Sequence, residues 1–397
     1  MTVSSEPDPT SPDHPTRVAF FLFAAMPVLA SIVAGVFAST LLVASAVGGL
    51  WMAWRQRAFG TLAAIGGLAL LAGLVSTLGN DTVTELVLFS ASIVGAVVCL
   101  RLARCVTAAD RARAATVFVA CTIALPVIVL AHGLIRHPDL IPPWSLTPDL
   151  LAKHTFVAMT LVIPATYLLW RSRQRALAVL FLAFMAVMAV GSASSTATLA
   201  FFLSLATLVL ARIRPALGVA VLVGVLVAPL VASVAIQVAG ITDWSTIGLR
   251  MSWTYRLELW QRALVLFQEA PLFGHGLDSY ADIAPHLDLG PLDLHLGRFH
   301  PHSVLMQLLA EGGLTAVAAF GLLVRLIIDR PRLTNRDQWA VRLAALAAAF
   351  TPPAIGVNLW SDYTFALVLY PWLACALFLD HPDEARPLRH TGGRRSP

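Results

Sequence analysis

The sequence predicts an all-α, polytopic membrane protein of about 12 transmembrane helices, with a long, partly helical periplasmic loop. Three observations carry this. Of 397 residues, 58% are hydrophobic and only 12% charged, whereas a soluble domain is nearer a quarter charged. Apolar runs of about 20 residues recur along almost the whole chain, long enough to cross hydrocarbon as helices. The basic residues fall in short clusters between those runs, and the clusters alternate.

In order, residues 1–16 are polar, acidic and proline-containing and read as a disordered cytoplasmic tail. They lack a basic n-region and a small-residue cleavage site, so the first apolar run is expected to stay as an anchor. Spans are placed near 18–36, 38–54, 59–78, 83–103, 114–132, 153–170, 176–192, 195–211, 216–239, 303–328, 340–359 and 363–380. Backbone groups in hydrocarbon must be satisfied within the segment, which makes each run a helix. The expected organisation is a bundle over 17–239, a periplasmic loop over 240–301, a second bundle over 302–380 and a basic cytoplasmic tail over 381–397.

The positive-inside rule orients this map. With the N-terminus in the cytoplasm, six of the 27 basic residues lie outside: Arg136, Lys153, Arg250, Arg256, Arg262 and Arg298. The remaining 21 gather inside, in clusters such as Arg171, Arg173 and Arg175, or Arg325, Arg330, Arg332, Arg336 and Arg342. A net charge of +5 distributed in this way argues for the bilayer as partner and against nucleic acid. Cys99, Cys105, Cys121 and Cys375 lie in or beside apolar runs with no metal-motif spacing and read as packing residues.

Two outer connections are long. One, near 133–152, is rich in proline; the other, near 240–301, is too long for a mere connector. Within the second, Trp253, Leu257, Trp260, Leu264 and Phe267 recur at steps of four and three and make one apolar stripe on a helix from Trp253 to Glu269. Arg256 falls at the edge of that stripe, beside Trp260, and Arg262 falls opposite it, toward water. A helix resting on the membrane surface, its arginines on lipid phosphates, is the plain alternative. The helix stops before Pro271, and residues 271–276 form a turn. The loop closes with His300-Pro301-His302-Ser303 at the mouth of the next span. A histidine there can exchange protons near neutral pH. An interfacial polar residue is its bland reading. Zinc is a third, but His275, His286 and His295 have no ligand spacing.

Taken in order, Arg256-x-x-x-Trp260, Pro271-x-x-Gly274-x-Gly276 and His302-Ser303-x-x-x-Gln307-x-x-x-Glu311-x-Gly313 resemble the O-antigen ligase and polymerase superfamily. There are two departures. The family usually has Asn where Ser303 stands, and it often carries a mid-chain Ser-Arg pair where this chain has Ser194-Ser195-Thr196-Ala197.

The resemblance implies a membrane glycosyltransferase of the bacterial inner membrane, serving lipopolysaccharide or other polysaccharide biosynthesis. It moves a glycan from undecaprenyl pyrophosphate to an acceptor at the periplasmic face, lipid A–core in a ligase and a lipid-linked glycan in a polymerase. It implies His302 and Arg256 as catalytic. Trp260, His300 and Glu311 then line the substrate site with Arg250 and Arg298, and Arg250, Arg298 or Arg136 would stand in for the missing mid-chain arginine. Arginine suits a pyrophosphate at headgroup depth, because its planar fork pairs phosphate oxygens and stays charged. With no Asp-x-Asp motif, no metal or other cofactor is expected, and direct attack would invert the anomeric centre. The competing class is a polytopic transporter or lipid-glycan flippase, for which paired broken helices in two repeated halves would be the mark.

Overall fold

The computed structural model describes residues 14–32, 107–136, 148–191, 194–241, 248, 251–276, 278–283, 300–328, 335–357 and 362–379. In these residues the chain is helical, without strands: α1 His14–Ile32, α2 Ala108–Arg136, α3 Pro148–Arg171, α4 Arg175–Gly191, α5 Ser195–Ile213 and α6 Pro215–Val238. There follow α7 Met251–Glu269, the single turn α8 Tyr280–Ile283, α9 Val304–Ile328, α10 Arg336–Ile355 and α11 Asp362–Phe378. The expected spans near 38–54, 59–78 and 83–103 lie outside the described residues, and so do residues 284–299. The proline-rich connection is shorter than expected, since α2 runs on to Arg136 and α3 already starts at Pro148.

Among the described residues, four helices are long and apolar enough to cross a membrane: Ala108–Ala131 within α2, and α5, α6 and α9. Thr155–Arg171, Arg175–Gly191 and Leu367–Phe378 are apolar but shorter. Large side chains such as Leu180, Val190, Val231, Val238 and Leu326 are exposed on these helices. That pattern is stable when the solvent is lipid. The chain is a multi-pass membrane protein.

Helix ends follow local chemistry. Ser194 caps α5, its hydroxyl accepting from the Ala197 N–H. Arg214 ends α5 in an extended conformation, and Pro215 starts α6 at the position where a missing N–H costs nothing. Asn335 caps α10 through the Asp337 N–H. Prolines inside α1, α2, α3, α6, α10 and α11 are absorbed by the surrounding bundle.

The organising element is α10, which packs against α5, α6, α3 and α11. Every residue from Gln338 to Ile355 is buried. Its run of alanines, including Ala340, Ala344, Ala345, Ala347, Ala348 and Ala349, allows backbones to approach closely, as small residues do between membrane helices. Arg342 sits inside α10, not at its flank as the charge count assumed. It donates to the Ile327 carbonyl at 3.2 Å and lies over the Trp372 ring, whose indole N–H donates to the same carbonyl. A free carbonyl in the last turn of α9 thereby gains two partners. Two packed regions meet along α10. One is built from α1 to α5 with α11, the other from α6, α7 and α9 with the later part of α10.

The basic connections at the α5–α6 junction and the start of α10 share one end of the bundle. Arg212 pairs with Asp337 at 3.1 Å, and Arg336 donates to the Ile213 carbonyl. The start of α5, the end of α10 and the residues before α9 gather at the opposite end, where Thr196 touches Gly356 and Gly356 meets His302.

Candidate functional site

The sequence places a helix from Trp253, and α7 matches it, but α7 is not a surface helix. It docks between α6 and α9, with Leu257, Leu259, Trp260, Ala263, Leu264 and Leu266 buried. Gln261 donates to the Ser233 carbonyl of α6 at 2.7 Å. Arg262 was expected to face water. It is 3% exposed and donates to Glu258, itself fully buried, at 2.9 Å. The stripe argument assumed one covered face, whereas neighbours cover α7 on several sides. The i,i+4 partner one turn back neutralises the charge that burial would otherwise strand.

Arg256 is half-buried at the edge of the stripe. Its guanidinium lies 5.1 Å from the Trp253 ring centre and donates from Nη1 to the Ser252 carbonyl at 3.2 Å. Its Nε is buried with no hydrogen-bond partner. Burial pushes its pKa below the ordinary value, yet arginine keeps its proton in proteins. The result is a partly dehydrated cation with donor capacity left over.

His302 follows Pro301 and precedes Ser303, the residue before α9. Ser303 is fully buried; its hydroxyl lies 3.5 Å from the Met306 N–H, and its carbonyl accepts the Gln307 N–H at 2.9 Å. That is the geometry of an N-cap, a position Ser and Asn fill almost equally well. The departure from Asn at 303 therefore leaves the helix start intact. The Trp260 indole N–H donates to the Pro301 carbonyl at 2.8 Å, fixing the histidine turn to α7.

His302 Nδ1 lies 3.1 Å from the Gly356 carbonyl at the end of α10. A carbonyl only accepts, so Nδ1 carries the proton and Nε2 presents its lone pair. Burial lowers the His302 pKa; the Gly356 bond raises it, and the nearby Arg256 charge lowers it again. The ring is thus held neutral, in one tautomer, near a fixed cation. His300 stands beside it, ring centres 4.1 Å apart, with its Nδ1 accepting the His302 N–H at 3.2 Å. Its pKa falls to about 3, chiefly by burial and then by the His302 charge.

The turn at 271–276 and α9 cross backbone to backbone. At Gly313 the helix breaks, with φ 60 and ψ −158. The carbonyls of Ala310 and Glu311 accept instead from the N–H groups of His275 and Gly276, at 3.1 and 2.9 Å. The N–H groups of Leu314 and Thr315 donate to the carbonyls of Pro271 and Leu272, at 2.8 and 3.2 Å. The Ala310 and Glu311 carbonyls and the Leu314 and Thr315 N–H groups, which would pair with one another in an unbroken helix, are each paired across the crossing. Only glycine fits: a Cβ on Gly274 would meet the Glu311 carbonyl carbon at 2.3 Å, and one on Gly313 the Leu272 carbonyl carbon at 2.5 Å. The His275 Nε2–H donates to the Leu266 carbonyl at 2.9 Å and ties the turn to α7.

Of the sequence-predicted site residues, Arg256, Trp260, His300 and His302 come together. Glu311 lies deeper, at the crossing; its side chain is buried and accepts from Gln307 at 3.1 Å. Arg250 and Arg298 lie outside the described residues. Gly356 was missed. It lies 54 residues beyond His302, and its one local signal is the Pro352-Pro353 pair that precedes a helix end.

Residues 178–321 match the family O-Antigen ligase. The match spans α4 through most of α9 and includes all three motifs, while Gly356 lies beyond it. Neither the curated proteins nor the solved structures yielded a match. Over residues 178–321 the chain is thus similar to the O-antigen ligase family, in line with the resemblance carried by Arg256 to Gly313.

Proposed function

We propose that the protein transfers a glycan from undecaprenyl pyrophosphate to an acceptor hydroxyl at the periplasmic face of the bacterial inner membrane. Lipid A–core is the preferred acceptor, which makes it an O-antigen ligase. The observation that carries this is His302, neutral and fixed as the Nδ1–H tautomer by Gly356, close enough to Arg256 for the cation to depress its pKa.

In this reading the acceptor O–H gives its proton to His302 Nε2 as the oxygen attacks the anomeric carbon. The bond from that carbon to the pyrophosphate oxygen breaks, and undecaprenyl pyrophosphate leaves. Charge growing on the leaving oxygen meets the Arg256 guanidinium, whose partly dry setting strengthens the attraction. One displacement inverts the anomeric centre. The role often given to a divalent ion falls to the arginine, so the transfer needs no metal. A flippase would need no fixed tautomer beside a cation, and that is why the transferase reading is preferred.

The test is His302→Ala in purified, reconstituted protein with lipid-linked donor. The rate should fall about 10²–10⁴-fold. Wild-type turnover in this variant would remove His302 as base. Deleting the protein and resolving lipopolysaccharide on a gel distinguishes the acceptor. Core without polymer indicates the ligase, and core bearing one repeat indicates a polymerase. Unchanged lipopolysaccharide points to exopolysaccharide or protein glycosylation.

A further inference from the structure

His302 is one of three non-glycine residues with positive φ among the described residues, at 52°. A left-handed conformation in a residue with a Cβ is held only when its surroundings over-determine it. Three bonds do so here. The Trp260 N–H fixes the Pro301 carbonyl, Gly356 fixes the His302 ring, and His300 Nδ1 accepts the His302 backbone N–H. The third has the form of an Asx-turn, in which a side-chain acceptor takes the N–H two residues on, with imidazole in place of a carboxamide.

We propose that His300 is a positioning residue: its Nδ1 lone pair holds His302 in the left-handed turn that aims the neighbouring imidazole, and His300 neither binds the glycan nor carries its proton. The inference rests on His302 being the base. Two points support it. The nitrogen of His300 that faces His302 is already committed to a backbone N–H, so it cannot relay a proton. A pKa near 3 keeps the ring an acceptor at any working pH, whereas a group handing protons on would sit near that pH.

The experiment compares kcat and KM of His300→Ala, His300→Asn and His302→Ala in the full-length, reconstituted protein. Losing the acceptor should lower kcat of His300→Ala about ten- to a hundredfold with KM within about twofold, because a part-buried N–H is left unsatisfied and the turn loses its restraint. Asparagine has no ring and no useful basicity, yet its carboxamide oxygen can accept the same N–H. His300→Asn should therefore return to within about threefold of wild type. Asparagine as impaired as alanine would overturn the proposal, as would a wild-type His300→Ala or a loss confined to KM. Should His300→Ala fail to fold, His300→Asn alone decides: folded and active supports positioning, folded and inactive refutes it. An active His302→Ala removes the base itself. An inactive His302→Ala with the His300 outcomes reversed removes only this inference.

Discussion

Replacing Gly313 by alanine tests whether the crossing of the 271–276 turn and α9 holds the site together. The new Cβ would sit 2.5 Å from the Leu272 carbonyl carbon and 2.7 Å from the Phe273 nitrogen, both backbone atoms that cannot rotate away. Its φ and ψ, 60 and −158, lie in a region open almost only to glycine, which costs on the order of 1–3 kcal/mol for another residue. Relieving the clash separates the strands of backbone and weakens four hydrogen bonds, each worth about 0.5–1.5 kcal/mol net. Even if half of them are lost, the total is about 2–6 kcal/mol. Gly224, in the interior of α6 with nothing within 4 Å, is the control. There alanine should be neutral or stabilising by up to about 1 kcal/mol. The assay is unfolding in mixed detergent micelles, followed by intrinsic tryptophan fluorescence. Equal stability of Gly313→Ala and Gly224→Ala would refute the account of the crossing.

Trp260→Phe keeps the ring but strips the donor from the buried Pro301 carbonyl; it should cost about 1–3 kcal/mol and lower kcat, read in the same unfolding and transfer assays. Arg262→Ala leaves Glu258 buried without its cation and should destabilise by about 3–5 kcal/mol, seen as loss of folded protein after extraction. If His302 is the base proposed above, transfer should persist below the ordinary histidine pKa of about 6.5, because a base acts unprotonated and the His302 pKa is depressed, first by burial. The acid limb of the rate profile therefore lies below that value, and Arg256→Gln, which removes a lowering charge, should move it to higher pH; a limb at or above 6.5 in the wild type would contradict this.

What could be read in the sequence was what is local. The α7 stripe, the stop before Pro271 and the span from α9 follow from periodicity, and the structure has them. Arg262 was misplaced because a helical wheel shows which side is apolar but not how many sides are covered. Its Glu258 partner was visible at i−4, yet that spacing suits an exposed pair as well as a buried one. The Pro-x-x-Gly-x-Gly and Glu-x-Gly motifs were each legible, but not that they are two halves of one crossing. No local pattern links Gly274 to Gly313, or His302 to Gly356, since those contacts are made by the packing of α7, α9 and α10.

The crossing also bears on the chemistry. Arg256 rides on α7 and His302 precedes α9, so their separation is set by how those two helices dock. At one end the docking is fixed by the Trp260 bond to Pro301, and at the other by His275 on Leu266 together with the four bonds around Gly313. The first part of α9, Val304 to Glu311, is wholly buried, whereas beyond the break Leu314, Leu322 and Leu326 are exposed. A straight α9 could not lay its first half under α7 and still turn its second half outward. Small displacements at a catalytic site can cost on the order of 10²-fold in rate. A variant at Gly274 or Gly313 that remains folded should therefore lose transfer while His302 and Arg256 are untouched. Full activity in such a folded variant would mean that the Trp260 bond alone holds the pair in register.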